Sequence, residues 1–319
     1  PAAAAGQQAG PSSKEYAFTD TLQVDPTAES LERLHNWMSE QGSRAGRWTR
    51  ATPWQAEGYL SVTNSLYNVA FARRYRLSRP AQSRADTKTC DCRGWPVFLD
   101  SYGDHEEAEC RRVNRIRTLV HDNLCNLLRI LMEQAGLRRV RMEYRNWDPM
   151  DVGKDRSRRV PDVVGEAADG TTYVVDARIS WSVMSSSSTG GAATYSSPGH
   201  FARKGERTKW KDWHEALERA RGNGIDKSHI KFIPFSLEIS GLWGPAAERF
   251  FQRLASHRRH LRDIDYYHWS SVRWTDYWLD AVSCCLARGR GQLGTEVAKT
   301  DVFHRQAIHW TAGCEGVAC

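Results

Sequence analysis

The sequence lacks the features of a membrane or secreted protein. No apolar run approaches the roughly 20 residues that a helix needs to cross a bilayer. The first residues, PAAAAGQQAGPSSK, have neither the charged start nor the apolar middle of a signal peptide. Eight cysteines in 319 residues are too sparse for a small disulfide-stapled domain. These absences predict an intracellular protein of a reducing compartment, with no membrane partner.

Positive charge is in excess, and it is clustered. The formal net charge is +7 and the pI is about 9.0, a balance that favours a polyanionic partner. Four groups of basic residues flank one acidic motif: 111–117, 138–145, 154–159 and 203–211. Any single group could be a solvated face, but the four together predict nucleic-acid binding. The candidate contacts are Arg156, Arg158, Arg159, Lys204 and Arg207.

The order of the predicted elements is that of an α/β fold. Helical periodicity and end signals predict helices over 27–42, 53–78, 109–135, 201–221 and 244–257, and in the segment after residue 264. Alternating or apolar runs predict strands at 140–144, on both sides of a turn near residue 169, and at 230–240. Helices and strands that alternate in this way belong to one α/β core.

The chain divides into five predicted regions. They are a flexible tail (1–26), a helical linker region (27–89), a cysteine-rich element (90–110), the α/β core (111–260) and a helical C-terminal extension (261–319). The sequence begins at Pro1, which suggests a piece of a longer polypeptide.

The strongest pattern in the core is a pair of acids on a predicted hairpin. A three-residue loop with Gly170 in the left-handed conformation pairs Ala167 with Thr171, and Asp162 then falls opposite Asp176. Cross-strand neighbours have Cβ atoms about 4.5–5.5 Å apart, so the two carboxylates would share a hard cation such as Mg²⁺. A two-residue loop would place them on opposite faces. The alternative is a surface hairpin with two unrelated acids.

The cysteine-rich element has the spacing of a metal site. Cys90, Cys92, His105 and Cys110 supply three thiolates and one imidazole within 21 residues, a set that suits structural zinc. The alternative is a pair of buried thiols and an exposed histidine.

These motifs together resemble a known family. The P-D motif, followed after thirteen residues by D-A-R, is similar to the core motif of restriction-endonuclease-like nucleases, the PD-(D/E)XK superfamily. More specifically, residues 45–260 resemble the C-terminal region of site-specific non-LTR retrotransposons, in which a cysteine-histidine knuckle precedes a restriction-like endonuclease. The helix with the sequence GERTKWKDW matches the family's lysine helix. The resemblance therefore implies a mixed sheet flanked by helices, with a zinc knuckle before it.

The resemblance also implies a function and residues that perform it. It predicts a metal-dependent endonuclease that nicks DNA to prime reverse transcription, with DNA and the element's RNA as partners. The reverse transcriptase would belong to the same or a longer polypeptide, and the location would be nuclear. Mg²⁺ would be held by Asp162 and Asp176 with the Ala177 carbonyl, and Lys209 would act in catalysis. Glu206 would be a further ligand or the charge partner of Lys209.

Two positions depart from the family pattern. Arg178 stands in the usual lysine position of the core motif, where it can stabilise charge but cannot act as a base. Trp210 replaces a tyrosine, and core packing is the expected role of Trp210 and Trp213. His121 falls where the family often carries an Arg-His pair, with Val120 in place of the arginine, and it is interpreted as a structural helix residue. The competing hypotheses are an inactive, retroelement-derived nucleic-acid-binding or scaffolding protein, and a protein-interaction module.

Overall fold

The computed structural model describes residues 47–49, 62–74, 89–90, 92, 97–98, 105, 110–142, 160–181, 198–222, 228–258 and 273–313. The predicted tail 1–26, the predicted helix 27–42 and the candidate contacts Arg156, Arg158 and Arg159 lie outside the described residues.

The described helices and strands alternate along the chain. The helices are α1 (Asn64–Arg74), α2 (Asn114–Gln134), α3 (His200–Gly222), α4 (Pro245–Arg258) and α5 (Trp274–Gly313). The strands are β1 (Thr89–Cys90), β2 (Val97–Phe98), β3 (Arg138–Met142), β4 (Val163–Glu166), β5 (Thr172–Ser180) and β6 (Ile230–Glu238). Short 3₁₀ helices cover Arg47–Thr49 and Arg111–Val113. None of the described helices combines the length and apolarity of a membrane span.

Strands β3 to β6 form a mixed four-stranded sheet in that order, while β1 and β2 pair as a separate antiparallel ribbon. The contacts β3–β4 and β4–β5 are antiparallel, and β5–β6 is parallel. A parallel pair needs a crossover, and α3 lies between the two strands in sequence. The predicted α/β class with a mixed sheet and flanking helices is confirmed.

The two faces of the sheet carry different helices. Tyr173, Val175 and Ala177 of β5 face a core built from α2, α4 and α5. The opposite face carries α3, which packs against β5 and β6. A side chain at Gly205 would collide with Ser236 Oγ, so the glycine allows α3 to lie close to the strands. The alternation of β5 therefore sends Asp176 toward the α3 side.

Helix α2 is the long amphipathic helix that its sequence predicts. The apolar stripe is buried at Val120, Leu124, Leu127, Leu128 and Leu131. The helix ends before Gly136, whose φ of 87° is the left-handed conformation that glycine tolerates. Leu286 of α5 joins the same core as this stripe, so the C-terminal helix packs directly on the sheet-bearing part of the chain.

Candidate active site and metal cluster

The hairpin β4–β5 has the register that a three-residue loop predicts. Glu166 pairs with Thr172 and Val163 pairs with Val175, and the N–H of Ala167 donates to the carbonyl of Thr171 at 2.8 Å. Gly170 has a φ of 82°. Continued by one residue, the register places Asp162 opposite Asp176. Both acids therefore lie on the same face of the sheet.

Pro161 explains why β4 begins only at Val163. In this register Pro161 stands opposite Ala177, but proline has no N–H to donate to the Ala177 carbonyl. The N–H of Ala177 donates to Oδ2 of Asp162 at 2.6 Å. The hydrogen-bond ladder between β4 and β5 thus ends at Asp162 and Asp176. The Ala177 carbonyl points toward these two acids and receives no hydrogen bond from Pro161.

A histidine of α2 completes this corner of the site. Nε2 of His121 lies 3.5 Å from Oδ2 of Asp162 and 3.4 Å from the carbonyl oxygen of Ala177. The hydrogen bond with Asp162 raises the pKa of His121 to about 11, and the adjacent Cys125 adds to this effect. Burial opposes ionisation of Asp162, but the interactions with His121 and the Ala177 N–H outweigh it and lower the Asp162 pKa. The sequence identified His121 only as a structural helix residue, and its contacts with Asp162 and the Ala177 carbonyl were not predicted.

Asp176 and Lys209 form the other half of the site. Nζ of Lys209 lies 2.6 Å from Oδ1 of Asp176, and both side chains are about three-quarters shielded from solvent. Burial raises the pKa of Asp176 to about 6. The Asp162 carboxyl also raises the pKa of Asp176, whereas Lys209 lowers it. Asp162, Asp176 and Lys209 are thus brought together as the sequence motif predicts.

Glu206 is placed elsewhere. Its Oε1 accepts the N–H groups of Ala246 and Ala247 at 2.8 and 3.1 Å, so it caps the N-terminus of α4. A side chain at Gly244 would collide with this carboxylate. The charge partner of Lys209 is Asp176, which corrects the expected pairing with Glu206.

Arg178 lies on the exposed surface of β5, on the same side as Asp176. Its Cδ would be 3.1 Å from a Cβ at Gly205, so the aliphatic part of the side chain packs against α3. Arg178 is exposed, so it belongs to the rim of the site rather than to the partly buried carboxylate pair.

A second carboxylate cap was not anticipated from the sequence. Glu238, at the end of β6, is buried, and its Oε1 accepts the N–H groups of Phe201 and Ala202 at the start of α3. Ser240 donates to the other oxygen at 3.3 Å. One signal for this cap was present in the sequence, because a glutamate inside a largely apolar strand needs a hydrogen-bonding partner if it is buried.

The helix that carries Lys209 presents a basic and aromatic surface. Lys204 and Arg207 are exposed on α3. Partial burial lowers the pKa of His200, as do the positive charges of Arg203, Arg207 and Lys204. Trp213 is half-buried and stacks on Phe232 with ring centroids 4.5 Å apart. Trp210 stacks on the same ring with centroids 5.7 Å apart but is 53% exposed, so it is a surface residue rather than a core residue.

The four predicted zinc ligands are brought together. The ligand atoms of Cys90, Cys92, His105 and Cys110 all lie within 4.8 Å of one another. The Cys90 and Cys110 sulfurs are 3.7 Å apart, and Cys92 Sγ is 3.5 Å from His105 Nε2. With Zn–S bonds of about 2.3 Å and Zn–N of about 2.0 Å, tetrahedral edges are roughly 3.8 Å for S–S and 3.5 Å for S–N. This Cys₃His cluster could hold a metal such as zinc.

Comparisons with known proteins identify no relative of this chain. A scan against protein-family models finds no match, and a search of curated proteins finds no similar sequence.

Proposed function

We propose that the chain is a metal-dependent DNA endonuclease whose centre is the pair Asp162 and Asp176. The observation that carries the proposal is the meeting of two carboxylates from adjacent antiparallel strands with Lys209 from the facing helix. This arrangement places two anions and one cation together in a partly buried site. Two unrelated surface acids would not need it. Charge clusters of this type are the common feature of phosphodiester cleavage sites.

The donor set fits a hard divalent ion. Asp162, Asp176 and the carbonyl of Ala177 offer only oxygen atoms, which Mg²⁺ prefers. Mg²⁺ held there would polarise the scissile phosphate and lower the pKa of a bound water. The ammonium of Lys209 would stabilise the negative charge that develops on the phosphate, and Arg178 at the rim would contact a neighbouring phosphate.

Three features support a restriction-endonuclease-like core of the retroelement kind. A P-D motif begins one strand of a hairpin, D-A-R lies on the next strand, and the lysine comes from the following helix, which leads to a parallel strand. The proposal includes the nicking of target DNA in the nucleus to prime reverse transcription. The element's RNA and a reverse transcriptase part of the same or a longer polypeptide would be its partners.

The metal cluster would serve this function as a structural zinc knuckle. All four candidate positions are filled by protein side chains, which is typical of a structural rather than a catalytic zinc site. Cys90 and Cys110 also pack with Val113, next to the start of α2. Zinc would thus fix the entry to the helix that carries His121.

One observation favours the alternative of an inactive nucleic-acid-binding protein. Both carboxylates already have a cationic neighbour, Lys209 for Asp176 and His121 for Asp162. Such a compensated pair can be kept for stability alone, while the basic surface of α3 binds nucleic acid.

A nicking assay separates the two. Wild-type protein is incubated with supercoiled and linear DNA in Mg²⁺ or Mn²⁺, beside Asp176→Ala, Lys209→Ala and the exposed control Glu215→Ala. The proposal expects cleavage that both site variants lose and the control keeps, with DNA binding retained by all. Wild-type protein that binds DNA but nicks no substrate with either ion would support the inactive form instead.

A further inference from the structure

The site contains more soft donor atoms than a magnesium nuclease needs. His121 and Cys125 stand one turn apart on α2, and both face Asp162 at the start of β4. The three ligand atoms lie within 4.8 Å of one another. An oxygen-only Mg²⁺ site does not use an imidazole or a thiol.

The distances suit tetrahedral coordination. Cys125 Sγ lies 3.8 Å from both Nδ1 and Nε2 of His121, and Nε2 lies 3.5 Å from Oδ2 of Asp162. For the usual bond lengths to zinc, tetrahedral edges are roughly 3.5 Å for S–N and 3.4 Å for N–O. Two ligands at positions i and i+4 of one helix are a common way to build such a site.

The surroundings of His121 match those of a metal ligand. Nδ1 of its ring lies 3.4 Å from a carboxylate oxygen of Asp122. A ligating histidine usually donates its second N–H to a carboxylate, which fixes the tautomer and the ring orientation. A metal ion would displace the Nε2 proton that His121 shares with Asp162, while Nδ1–H stays directed at Asp122.

We propose that His121, Cys125 and Asp162 form a second metal site, which takes Zn²⁺ or a chemically similar transition-metal ion. Three protein ligands leave a fourth position open, as in catalytic rather than structural zinc sites. Asp162 is shared with the proposed Mg²⁺ pair, so the two positions are adjacent. The inference uses a residue of the proposed function but requires no cleavage activity.

Cobalt is the probe, because Co²⁺ bound to a thiolate has a visible and near-ultraviolet spectrum. Full-length protein is titrated with Co²⁺, and the bound metal is counted after desalting. Cys125→Ala and His121→Gln should each bind one equivalent less than wild type. Cys284→Ala removes a buried thiol outside the site and should bind as much as wild type.

Asp122→Asn gives a test that does not disturb the core, since Asp122 is 52% exposed. Loss of the carboxylate behind His121 should weaken Co²⁺ binding at this site about 10- to 100-fold. Unchanged equivalents in folded His121→Gln, together with unchanged affinity in Asp122→Asn, would overturn the proposal and leave a hydrogen-bonded His121–Asp162 pair.

Asp176→Asn separates this inference from the nuclease. The variant keeps all three proposed ligands, so it should retain the second Co²⁺ equivalent while it loses Mg²⁺-dependent cleavage. Wild-type protein that binds this ion but never nicks DNA would refute the nuclease alone. Nicking by wild type without the second equivalent would refute the second site alone.

Discussion

Nζ of Lys209 lies 2.6 Å from Oδ1 of Asp176, across the interface between α3 and β5 and 33 residues along the chain. The contact requires the close approach that Gly205 permits, because Gly205 lies one helical turn before Lys209 and packs on β5 and β6. The salt bridge lowers the pKa of Asp176, but burial outweighs it and the carboxyl stays hard to ionise. The ionised carboxylate of Asp176 therefore lowers the stability of the folded protein.

We expect Asp176→Asn to stabilise the protein while it abolishes Mg²⁺-dependent cleavage. The folded-state pKa of about 6 is above the ordinary 3.8, so the folded state binds this proton more tightly than the unfolded state. Ionisation of Asp176 therefore has no effect on stability below about pH 4, and its destabilising effect is complete above pH 6. The gain should be on the order of 2 kcal/mol at pH 7.5. Urea unfolding without added Mg²⁺ at pH 7.5 and pH 4.5 measures it, and an equal gain at both values would contradict this account.

We expect the Cys₃His cluster to retain about one zinc per chain in protein purified without added zinc. Four converging ligands bind the metal strongly, and the binding free energy becomes folding free energy for this segment. Elemental analysis of Cys92→Ser with His105→Ala should show one equivalent less than wild type. Cys284→Ala is the matched control, and full retention of zinc in the double variant would exclude the cluster as the site.

DNA binding should depend steeply on salt, because Lys204 and Arg207 would act by releasing counterions from phosphates. Neutralisation of both to Gln should reduce the slope of log affinity against log salt by about 2. Fluorescence anisotropy between 50 and 300 mM salt measures the slope. Arg249→Gln with Arg253→Gln, on α4 at the opposite face of the sheet, should leave it unchanged. If the two double variants reduced the slope equally, DNA binding would not depend specifically on the basic surface of α3.

Glu206→Ala should lower stability without a specific effect on cleavage. Its carboxylate caps α4 through Ala246 and Ala247, and the loss of such a cap costs roughly 1–2 kcal/mol. Glu215→Ala, an exposed position of α3, should change stability by less than about 0.5 kcal/mol. Thermal unfolding measures the loss of stability, and cleavage rates per folded molecule show whether catalysis is affected separately. A stable variant that cannot cleave would restore Glu206 to the catalytic set.

Arg178→Lys should keep or increase cleavage, whereas Arg178→Ala should reduce it. Both basic side chains place a positive charge at the rim, and lysine can in addition donate or accept a proton. Single-turnover nicking rates at saturating Mg²⁺ compare the three proteins. A severe loss in Arg178→Lys would show that the planar guanidinium is needed for bidentate contact with a phosphate.

Local rules predicted the hairpin because turn chemistry determines register. The loop length and Gly170 were sufficient to place Asp162 opposite Asp176 before any tertiary contact was considered. Glu206 and Lys209 stand three residues apart on α3, but this spacing carries no information about which neighbour each residue meets. Glu206 reaches the start of α4, while Lys209 reaches β5. The contact of His121 with Asp162 was not predicted for the same reason, since its partners lie far along the sequence.

The two carboxylate caps have a consequence for sequence change in α3. Glu238 holds the first turn of the helix, and Glu206 ties its second turn to α4, so the helix can neither slide nor rotate freely. Each residue of an α-helix advances the side-chain direction by about 100°. A single residue inserted between Glu206 and Lys209 would therefore turn the lysine away from Asp176, while both caps stayed in place. Functional relatives should conserve this three-residue spacing even where the residues between differ.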